Sequence, residues 1–389
     1  LAIPLMGIAQ LAGMVVVPLA VVSTSAASVA GALAHVGAAG LVWSADLVRF
    51  IPQATFRVAP PGWTSVGLYY AGLVWGWTGR PGARVAWLTA ALAGVWMVAE
   101  PWAWRAAQGD GRLHVTFLDV GQGDSAFVRF PHGATMLVDA GGVGRSSSFD
   151  IGDRVVAPVL RDAGVRRLDY LVVSHGDPDH IGGAAAIVRE FRPREVWEGI
   201  PVPSFGPLVA LRQESQSVGA RWANVYDTDH LRVDDVEITA RHPRRAEWER
   251  RRVRNDDSLV LELVWRDVSL LFTGDIGAPV ERTLAPGGTG TGLQVLKVPH
   301  HGSLTSSSRE FLQHLAPDAA IVSAGRANHF GHPAPDVLSR YAEIGTAIFR
   351  TDLDGAVVLD TDGHTLDLRA FTGRNLVVPG AQAHHDHGP

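Results

Sequence analysis

One loop carries four side chains that can bind a metal ion within six residues: His175, Asp177, Asp179 and His180. The loop follows an apolar strand, and the pair Gly182-Gly183 after it allows a helix to begin tightly. Close spacing on a loop lets two imidazoles and two carboxylates converge, which is typical of a metal site. The alternative is a polar turn in which Asp177 or Asp179 only caps the following helix.

Three later segments repeat the pattern of an apolar strand and a short loop with His or Asp beside Gly or Pro. The first ends at Asp275, the second carries His300 and His301, and the third carries His329 and His332. A buried histidine with a satisfied hydrogen bond is the default interpretation of any one of them. Because the pattern occurs four times, the sequence predicts one metal site assembled from four loops.

From Leu113 onward, short β-branched strands and helices connect these loops. Strands and helices alternate without the regular repeat of a barrel, so we predict an α/β fold of mixed sheets covered by helices. The chain has no cysteine, which excludes disulfides, thiolate metal ligands and cysteine nucleophiles. Its net charge of −5 excludes a wholly basic nucleic-acid coat but not a local basic patch.

The first third of the chain contains four apolar runs, at 1–22, 28–45, 63–77 and 84–104. Tryptophans at the ends of the runs suit a membrane interface, and the few charges leave no polar face for a soluble bundle. We therefore predict transmembrane helices over residues 1–106. Arg80 and Arg84 lie in the shortest connection, and a cytoplasmic position for them puts the later residues on the outer face of the membrane.

The densest run of charge lies between Arg241 and Arg254. A strip that follows DNA phosphates, with an aromatic platform for bases, is predicted from Arg244, Arg245, Arg250, Arg251, Arg252 and Trp248. The alternative is a solvated loop in which Glu247 and Glu249 partly neutralise the arginines.

Five motifs together identify a family resemblance: DVGQGDS at 119–125, SHGDPDHIGG at 174–183, LLFTGD at 270–275, VPHHGS at 298–303 and NHFGHP at 328–333. Over residues 113–360 they resemble the metallo-β-lactamase-fold domain of ComEC-type competence proteins, the DNA-uptake channels of transformable bacteria. The first third is similar to the end of that family's multi-helix channel domain, including the phrases AIPL at 2–5 and VPL at 17–19. The chain therefore resembles the C-terminal part of such a protein.

The resemblance implies α-helical transmembrane segments followed by an α/β domain, a four-layer αββα metallo-β-lactamase-like sandwich. The expected segments are 1–106 for the membrane helices, 113–372 for the sandwich and 373–389 for a disordered, histidine-containing tail. It also implies two divalent metal ions at the edge of the sheets, in a protein of the bacterial cell membrane.

The resemblance further implies roles for individual residues. His175 and Asp177 would bind one ion, Asp179 and His180 the other, and Asp275 would bridge the two. His300 or His301 would complete the set. Asp177 stands where the wider superfamily has histidine, which hardens the site and favours Mn²⁺, with Zn²⁺ and Mg²⁺ as alternatives.

Other residues are expected to line the same site. The usual third-motif histidine is missing, and Asn255 or Asp257 is expected to take its place. His332 would donate to a phosphate oxygen or protonate the leaving group, or else be structural. The remaining lining residues are expected to be Asp119, Gln122, Asp124 and His329, although Gln122 and Asp124 also suit a plain tight turn.

The sequence thus predicts a membrane-anchored, metal-dependent phosphodiesterase, a nuclease that degrades one DNA strand during uptake. Single-stranded DNA, the membrane and other proteins of the competence machinery are the expected partners. One alternative is a hydrolase of another ester or phosphodiester. The other is a non-catalytic DNA-transport or DNA-binding module with a degenerate fold, which the missing third-motif histidine keeps open.

Overall fold

The computed structural model describes residues 2–50, 61–103, 109–142, 149–245, 249–284 and 292–380. The chain divides into two compact units, residues 1–58 and residues 59–389.

The first unit is a helical hairpin of α1 (Ala2–Val22) and α2 (Thr24–Phe50). The two helices approach closely, since a side chain on Gly37 would lie 2.7 Å from the backbone nitrogen of Ala9. Within the described residues, Pro4–Val22 and Thr24–Ser44 are the two helical segments long and apolar enough to cross a membrane. Their length and composition indicate membrane association.

The second unit begins with another helical hairpin, α3 (Trp63–Trp77) and α4 (Ala83–Ala103). Here a side chain on Gly72 would lie 2.7 Å from the carbonyl oxygen of Ala86, so this pair is also packed through small residues. The apolar part of α4, Ala83–Ala99, is shorter than a full span. Crossing of the membrane by these two helices stays a prediction.

The rest of the second unit contains sixteen strands among its described residues. In chain order they are β1 Leu113–Phe117, β2 Ala126–Arg129, β3 Thr135–Val138, β4 Tyr170–Val173, β5 Glu195–Glu198, β6 Arg221–Asn224, β7 His230–Val233, β8 Val236–His242, β9 Val260–Trp265, β10 Val268–Phe272, β11 Leu293–Lys297, β12 Ala319–Val322, β13 Ala347–Arg350, β14 Val357–Thr361, β15 Thr365–Ala370 and β16 Asn375–Pro379. One sheet has the order β16-β15-β14-β1-β2-β3-β4-β5-β6 and the other β13-β12-β11-β10-β9-β8-β7.

Helices cover the outer faces of the two sheets. They are α5 Ala157–Asp162, α6 Pro178–Ile181, α7 Ala184–Phe191, α8 Gly206–Ser217, α9 Ala278–Leu284, α10 Arg309–Leu315, α11 Pro335–Glu343 and α12 Thr351–Asp354. A central core joins the inner faces of both sheets, a second core lies under α5, α7 and α8, and a third lies under α9, α10 and α11. The predicted four-layer αββα sandwich is confirmed.

Strand direction determines where the loops with metal-binding side chains meet. Strands β3, β4, β5 and β6 are parallel neighbours in one sheet, and β10, β11, β12 and β13 are parallel neighbours in the other. The carboxyl ends of parallel strands lie at the same edge of a sheet. The loops after β4, β10, β11 and β12 therefore emerge side by side.

The end of the domain differs from the sequence prediction. Strand β16, Asn375–Pro379, lies inside the segment 373–389 that was expected to be a disordered tail. Its Leu376 and Val378 pack against the central core, while the alternate residues face outward. Because only two side chains per strand face inward, the apolar pattern is short and easily missed. The ordered domain thus reaches Pro379, and residues 381–389 lie outside the described residues.

Candidate metal centre

Four side chains from three loops converge at this edge of the sandwich: Asp179, His180, Asp275 and His301. Each of them offers one ligand atom, and these atoms lie within 4.8 Å of one another. Asp275 lies in the middle, with Oδ1 3.3 Å from Nε2 of His180 and Oδ2 3.4 Å from Nε2 of His301. The same His301 nitrogen is 3.4 Å from Oδ2 of Asp179. Asp275 thus contacts both histidines, one through each carboxylate oxygen.

The histidines are held by their Nδ1 atoms, which leaves Nε2 directed at the cluster. Nδ1 of His180 is 2.8 Å from Oδ2 of Asp139, and Nδ1 of His301 is 2.9 Å from the carbonyl oxygen of Ser323. Nδ1 of His175 is 3.1 Å from the hydroxyl of Ser174. Metal-binding histidines are commonly oriented in this way by a partner on the second ring nitrogen.

Buried polar atoms without partners test whether a metal fits. Among the described residues, the Nε2 atoms of His175, His180 and His301 and Oδ1 of Asp275 are buried and have no hydrogen-bond partner. Leaving a buried polar group unpaired costs about 1 to 3 kcal/mol, so four such atoms at one point need an explanation. Imidazole nitrogens and carboxylate oxygens in this arrangement fit a divalent metal ion.

The pKa values of the cluster reflect its mixed charges. Burial alone lowers the pKa of His180, but the carboxylates of Asp275 and Asp139 outweigh it and raise that pKa well above its usual value. Burial alone also lowers the pKa of His301, but the carboxylates of Asp275 and Asp124 outweigh it and raise that pKa well above its usual value. Burial alone raises the pKa of Asp275, but His301 and His180 hold it well below its usual value. A metal ion at this point would replace the protons of the two imidazoles.

His175 and Asp177 lie beside this group. The rings of His175 and His180 are 4.1 Å apart, and Nε2 of His175 is 3.4 Å from Oδ2 of Asp177. His175 is buried, whereas 38% of the Asp177 side chain is exposed. The pair therefore extends the cluster towards solvent, where the sequence predicted the other ion.

His300 and His301 are adjacent in sequence but have different contacts in the structure. Nε2 of His300 is 3.9 Å from Asp275 but only 3.1 Å from Nδ2 of Asn255, and its Nδ1 is 3.3 Å from the hydroxyl of Thr305. His301 is the member of the four-residue group, and His300 lies on its flank. Burial, only partly offset by Asp275, lowers the pKa of His300.

The two histidines share an unusual backbone conformation. The φ angles of His300 and His301 are 49° and 53°, in the left-handed region that residues other than glycine seldom adopt. Such strain persists only where surrounding contacts hold it, and it is concentrated at functional sites.

Asn255 and Asp257, both proposed substitutes for the missing histidine, have different positions. Asn255 reaches the cluster through His300. Asp257 instead accepts two hydrogen bonds from Arg250, at 2.9 and 3.2 Å, and is not a member of the cluster.

The Gly-rich turn after β1 packs directly against the metal-binding loop. Gly123 has a φ of 129°, and a side chain there would lie 2.1 Å from the carbonyl oxygen of Asp179. Asp124 is buried, with Oδ1 3.2 Å from Nδ1 of His301 and Oδ2 2.7 Å from the ammonium of Lys297. Burial alone raises the pKa of Asp124, but Lys297 and His301 outweigh it and lower the pKa.

The other predicted lining residues are divided between the site and its surroundings. Oε1 of Gln122 accepts a hydrogen bond from the backbone of Gly325, which joins this turn to the loop after β12. Asp119 is exposed, and its carboxylate accepts from the backbone of Gly121. The Asp119 side chain thus closes the turn, and its place in the lining of the site stays a prediction.

The loop after β12 places His332 beside the cluster. Its ring centre is 5.7 Å from that of His300 and 6.4 Å from that of His301. Burial, together with His301 and His300, lowers the pKa of His332. His329 in the same loop is exposed.

The arginine-rich segment is not one surface. Arg244, Arg245, Arg251 and Arg252 are exposed, and Arg245 lies over the ring of Tyr226 at 4.7 Å. Arg250 differs from them, because it is half-buried and paired with Asp257; DNA binding by this segment stays a prediction. Trp248 lies outside the described residues.

Three residues that orient the cluster were not among those predicted: Asp139, Ser174 and Lys297. Asp139 follows β3 directly and precedes Ala140-Gly141-Gly142, the same pattern of strand, carboxylate and glycine that marked Asp275. The signal of Lys297 is a single charge at the end of an otherwise uncharged strand.

Known proteins resemble this chain in both sequence and fold. ComE operon protein 3 of Bacillus subtilis is 31% identical over 62% of this chain and 32% of its own length. Competence protein ComA of Neisseria gonorrhoeae is 35% identical over 62% of this chain and 31% of its own length. The chain thus spans about a third of the length of these relatives. The crystal structure of the metallo-beta-lactamase fold protein YhfI from Bacillus subtilis is 11% identical, with a TM-score of 0.44, and the match covers 64% of this chain and 99% of YhfI.

The sequence profile of the Metallo-beta-lactamase superfamily matches residues 118–326, more than half of the chain. This range contains three of the four metal-binding loops in full, and the relatives confirm the predicted resemblance to the ComEC-type competence proteins. The chain belongs to the metallo-beta-lactamase superfamily.

Proposed function

We propose that the sandwich is a metal-dependent phosphodiesterase, and that it acts as a nuclease on one DNA strand during uptake. The observation that carries this proposal is the set of buried, unpartnered ligand atoms on His175, His180, His301 and Asp275. A degenerate, non-catalytic fold has no reason to keep such atoms unpaired at one point, because hydrogen bonds or apolar side chains would be more stable there.

The proposed ligands of each metal ion are side chains that lie close to one another in the structure. Asp179, His180 and His301 would hold one ion, His175 and Asp177 the other, and Asp275 would contact both. When bound, the two ions supply a nucleophilic water at neutral pH and neutralise charge on a phosphodiester. His332, beside the cluster, would donate a hydrogen bond to a phosphate oxygen or a proton to the leaving group.

The preferred metal is proposed to be Mn²⁺, with Zn²⁺ and Mg²⁺ as alternatives. Three carboxylates take part in the proposed sets, Asp177, Asp179 and Asp275, and oxygen ligands suit harder ions. Activity of the metal-depleted protein should return best with Mn²⁺. Protein that is active with Zn²⁺ and inert with Mn²⁺ would contradict this choice.

DNA as the substrate is supported by the relatives and by charge. One relative is named a competence protein, and the exposed Arg244, Arg245, Arg251 and Arg252 offer positive charge for phosphates. We propose single-stranded DNA as the form that binds, with other competence proteins as partners of the longer protein.

The membrane arrangement is also proposed. Helices α1 to α4 would cross the membrane as the end of a multi-pass channel domain, with the short connection that contains Arg80 in the cytoplasm. This orientation places the sandwich on the outer face of a bacterial cell membrane.

The decisive experiment measures hydrolysis by the whole chain in detergent after chelation and return of each divalent metal. Single-stranded DNA, double-stranded DNA and a simple phosphodiester are tested in parallel, with Asp179→Ala as the matched variant. We expect metal-dependent cleavage of DNA by the wild type and none by the variant. Equal activity in both would favour the non-catalytic alternative, and cleavage of the simple ester alone would favour a hydrolase of another class.

A further inference from the structure

Phe330 is a large apolar side chain that the fold leaves in solvent beside the metal centre. It lies in the loop after β12, and 69% of its surface is exposed. One face of its ring stacks on His332, with ring centres 5.8 Å apart and planes inclined by 24°. The exposure shows that Phe330 is not a core residue, and its orientation is set by the imidazole beneath it.

The loop that carries Phe330 is held by a network centred on Asn328. The Asn328 side-chain oxygen accepts from the backbone of Phe330 and of His332, at 3.2 and 3.0 Å. Its amide nitrogen donates to the carbonyl oxygens of Gly325 and His332. Gln122 ties Gly325 to the turn after β1. An aromatic ring on such a loop is preorganised, so little entropy is lost when a ligand stacks on it.

A single layer of imidazole separates Phe330 from the cluster. The ring of His332, on which Phe330 stacks, lies 6.4 Å from the ring of His301, one of the four convergent side chains. A phosphate at the metal centre would therefore bring the base of an adjoining nucleotide within reach of the exposed face of Phe330.

We propose that Phe330 forms a nucleobase subsite, on which the base next to the scissile phosphate stacks. This inference rests on the proposed function of the same centre. Every base has a π face, so stacking on an aromatic side chain tolerates any sequence. The subsite would make the centre prefer nucleic acid over phosphodiesters without bases, and it would do so without reading sequence.

The first test measures stacking without hydrolysis. The whole chain in detergent, with Mn²⁺, is titrated into single-stranded oligo-dT that has hydrolysis-resistant phosphorothioate linkages and carries one 2-aminopurine, whose fluorescence falls when the base stacks. We expect quenching by the wild type and by Phe330→Trp. Phe330→Leu, which keeps apolar bulk but removes the π face, should lose the quenching and bind about 10-fold more weakly.

Phe371, in the turn after β15, is the matched control, because it is a phenylalanine with 86% of its surface exposed. Phe371→Ala should behave as the wild type. An unquenched wild type, or an equal loss in Phe330→Leu and Phe371→Ala, would overturn the subsite.

The second test compares the kcat/KM of oligo-dT with that of the same oligonucleotide carrying abasic sites. Wild-type protein should prefer the base-containing strand, and Phe330→Leu should reduce that preference by about 10-fold. Equal hydrolysis of both strands by the wild type would overturn the subsite and leave the nuclease intact. Quenching without any hydrolysis would support the subsite and contradict the nuclease.

Discussion

The metal centre and the arginine-rich segment were both indicated by clustered residue types, but the fold brings the residues of the first together and separates those of the second. Loops that are far apart in sequence bring Asp179, Asp275 and His301 together, with their ligand atoms buried and directed at one point. The arginines are consecutive in sequence, yet Arg250 turns inward to Asp257 while Arg251 and Arg252 face solvent. Convergence in space, rather than density in sequence, distinguishes a site from a charged surface.

The largest effect on hydrolysis is expected from replacing the carboxylates of the four-residue cluster. Asp179→Ala and Asp275→Asn should each lower hydrolysis by about 1000-fold or more, because each removes a carboxylate that the proposed metal ions need. Steady-state cleavage of labelled DNA by purified protein measures this. Replacement of the exposed Asp267 by Ala serves as the control and should change the rate little, because Asp267 lies at the opposite end of β10 from Asp275, where it pairs with His364.

Residues that orient the ligands should have intermediate effects. Asp139→Asn keeps the shape of the side chain but replaces a carboxylate at 2.8 Å from Nδ1 of His180 with an amide. Weakening such a partner of a metal-binding histidine costs about 10- to 100-fold in metal affinity. Titration of the metal-free protein with Mn²⁺ measures the change, and an unaltered affinity would show that His180 is not oriented by Asp139.

The arginine-rich segment should separate into two kinds of residue. Arg250→Ala should lower the free energy of unfolding of the sandwich by about 1 kcal/mol, because it removes two hydrogen bonds to the half-buried Asp257. Arg251→Ala, at the neighbouring exposed position, should leave the free energy of unfolding unchanged within about 0.5 kcal/mol. Denaturant unfolding compares the two variants, and equal destabilisation would contradict the division.

The smallest effect is expected on DNA binding when the exposed arginines are replaced. If Arg251 and Arg252 contact phosphates, replacing both with Ala should reduce the slope of log affinity against log salt by about 1 to 1.5 for single strands. Metal affinity should stay the same, because neither residue lies in the cluster. An unchanged salt slope would assign the two arginines to a solvated loop.

Much of the fold followed from local patterns. Strands β10, β11 and β12 are buried along their whole length and β4 along all but its first residue, so mostly apolar runs were sufficient to predict them. Strands β6 and β7 lie at the open edges of their sheets and bury few side chains, so an apolar pattern does not predict them. Edge strands depend on backbone pairing with a neighbour, which has no periodic apolar signature.

The chemistry of the metal centre was determined by the sequence alone. The chain has no cysteine, and short loops after apolar strands carry its histidines and aspartates beside glycine or proline, which limits the ligands to imidazole and carboxylate. Residue type and local spacing are properties of the covalent chain, so the donor set could be predicted before any fold was known.

Only the tertiary structure decided which of these groups act together. His300 and His301 are adjacent in sequence, but their side chains make different contacts, which put His301 in the cluster and leave His300 with Asn255. Asp139 and Lys297 acquire their roles through contacts with His180 and Asp124, residues far away along the chain. Such pairings depend on strand order and on the left-handed backbone at the paired histidines, and these arise from the packing of the whole sandwich.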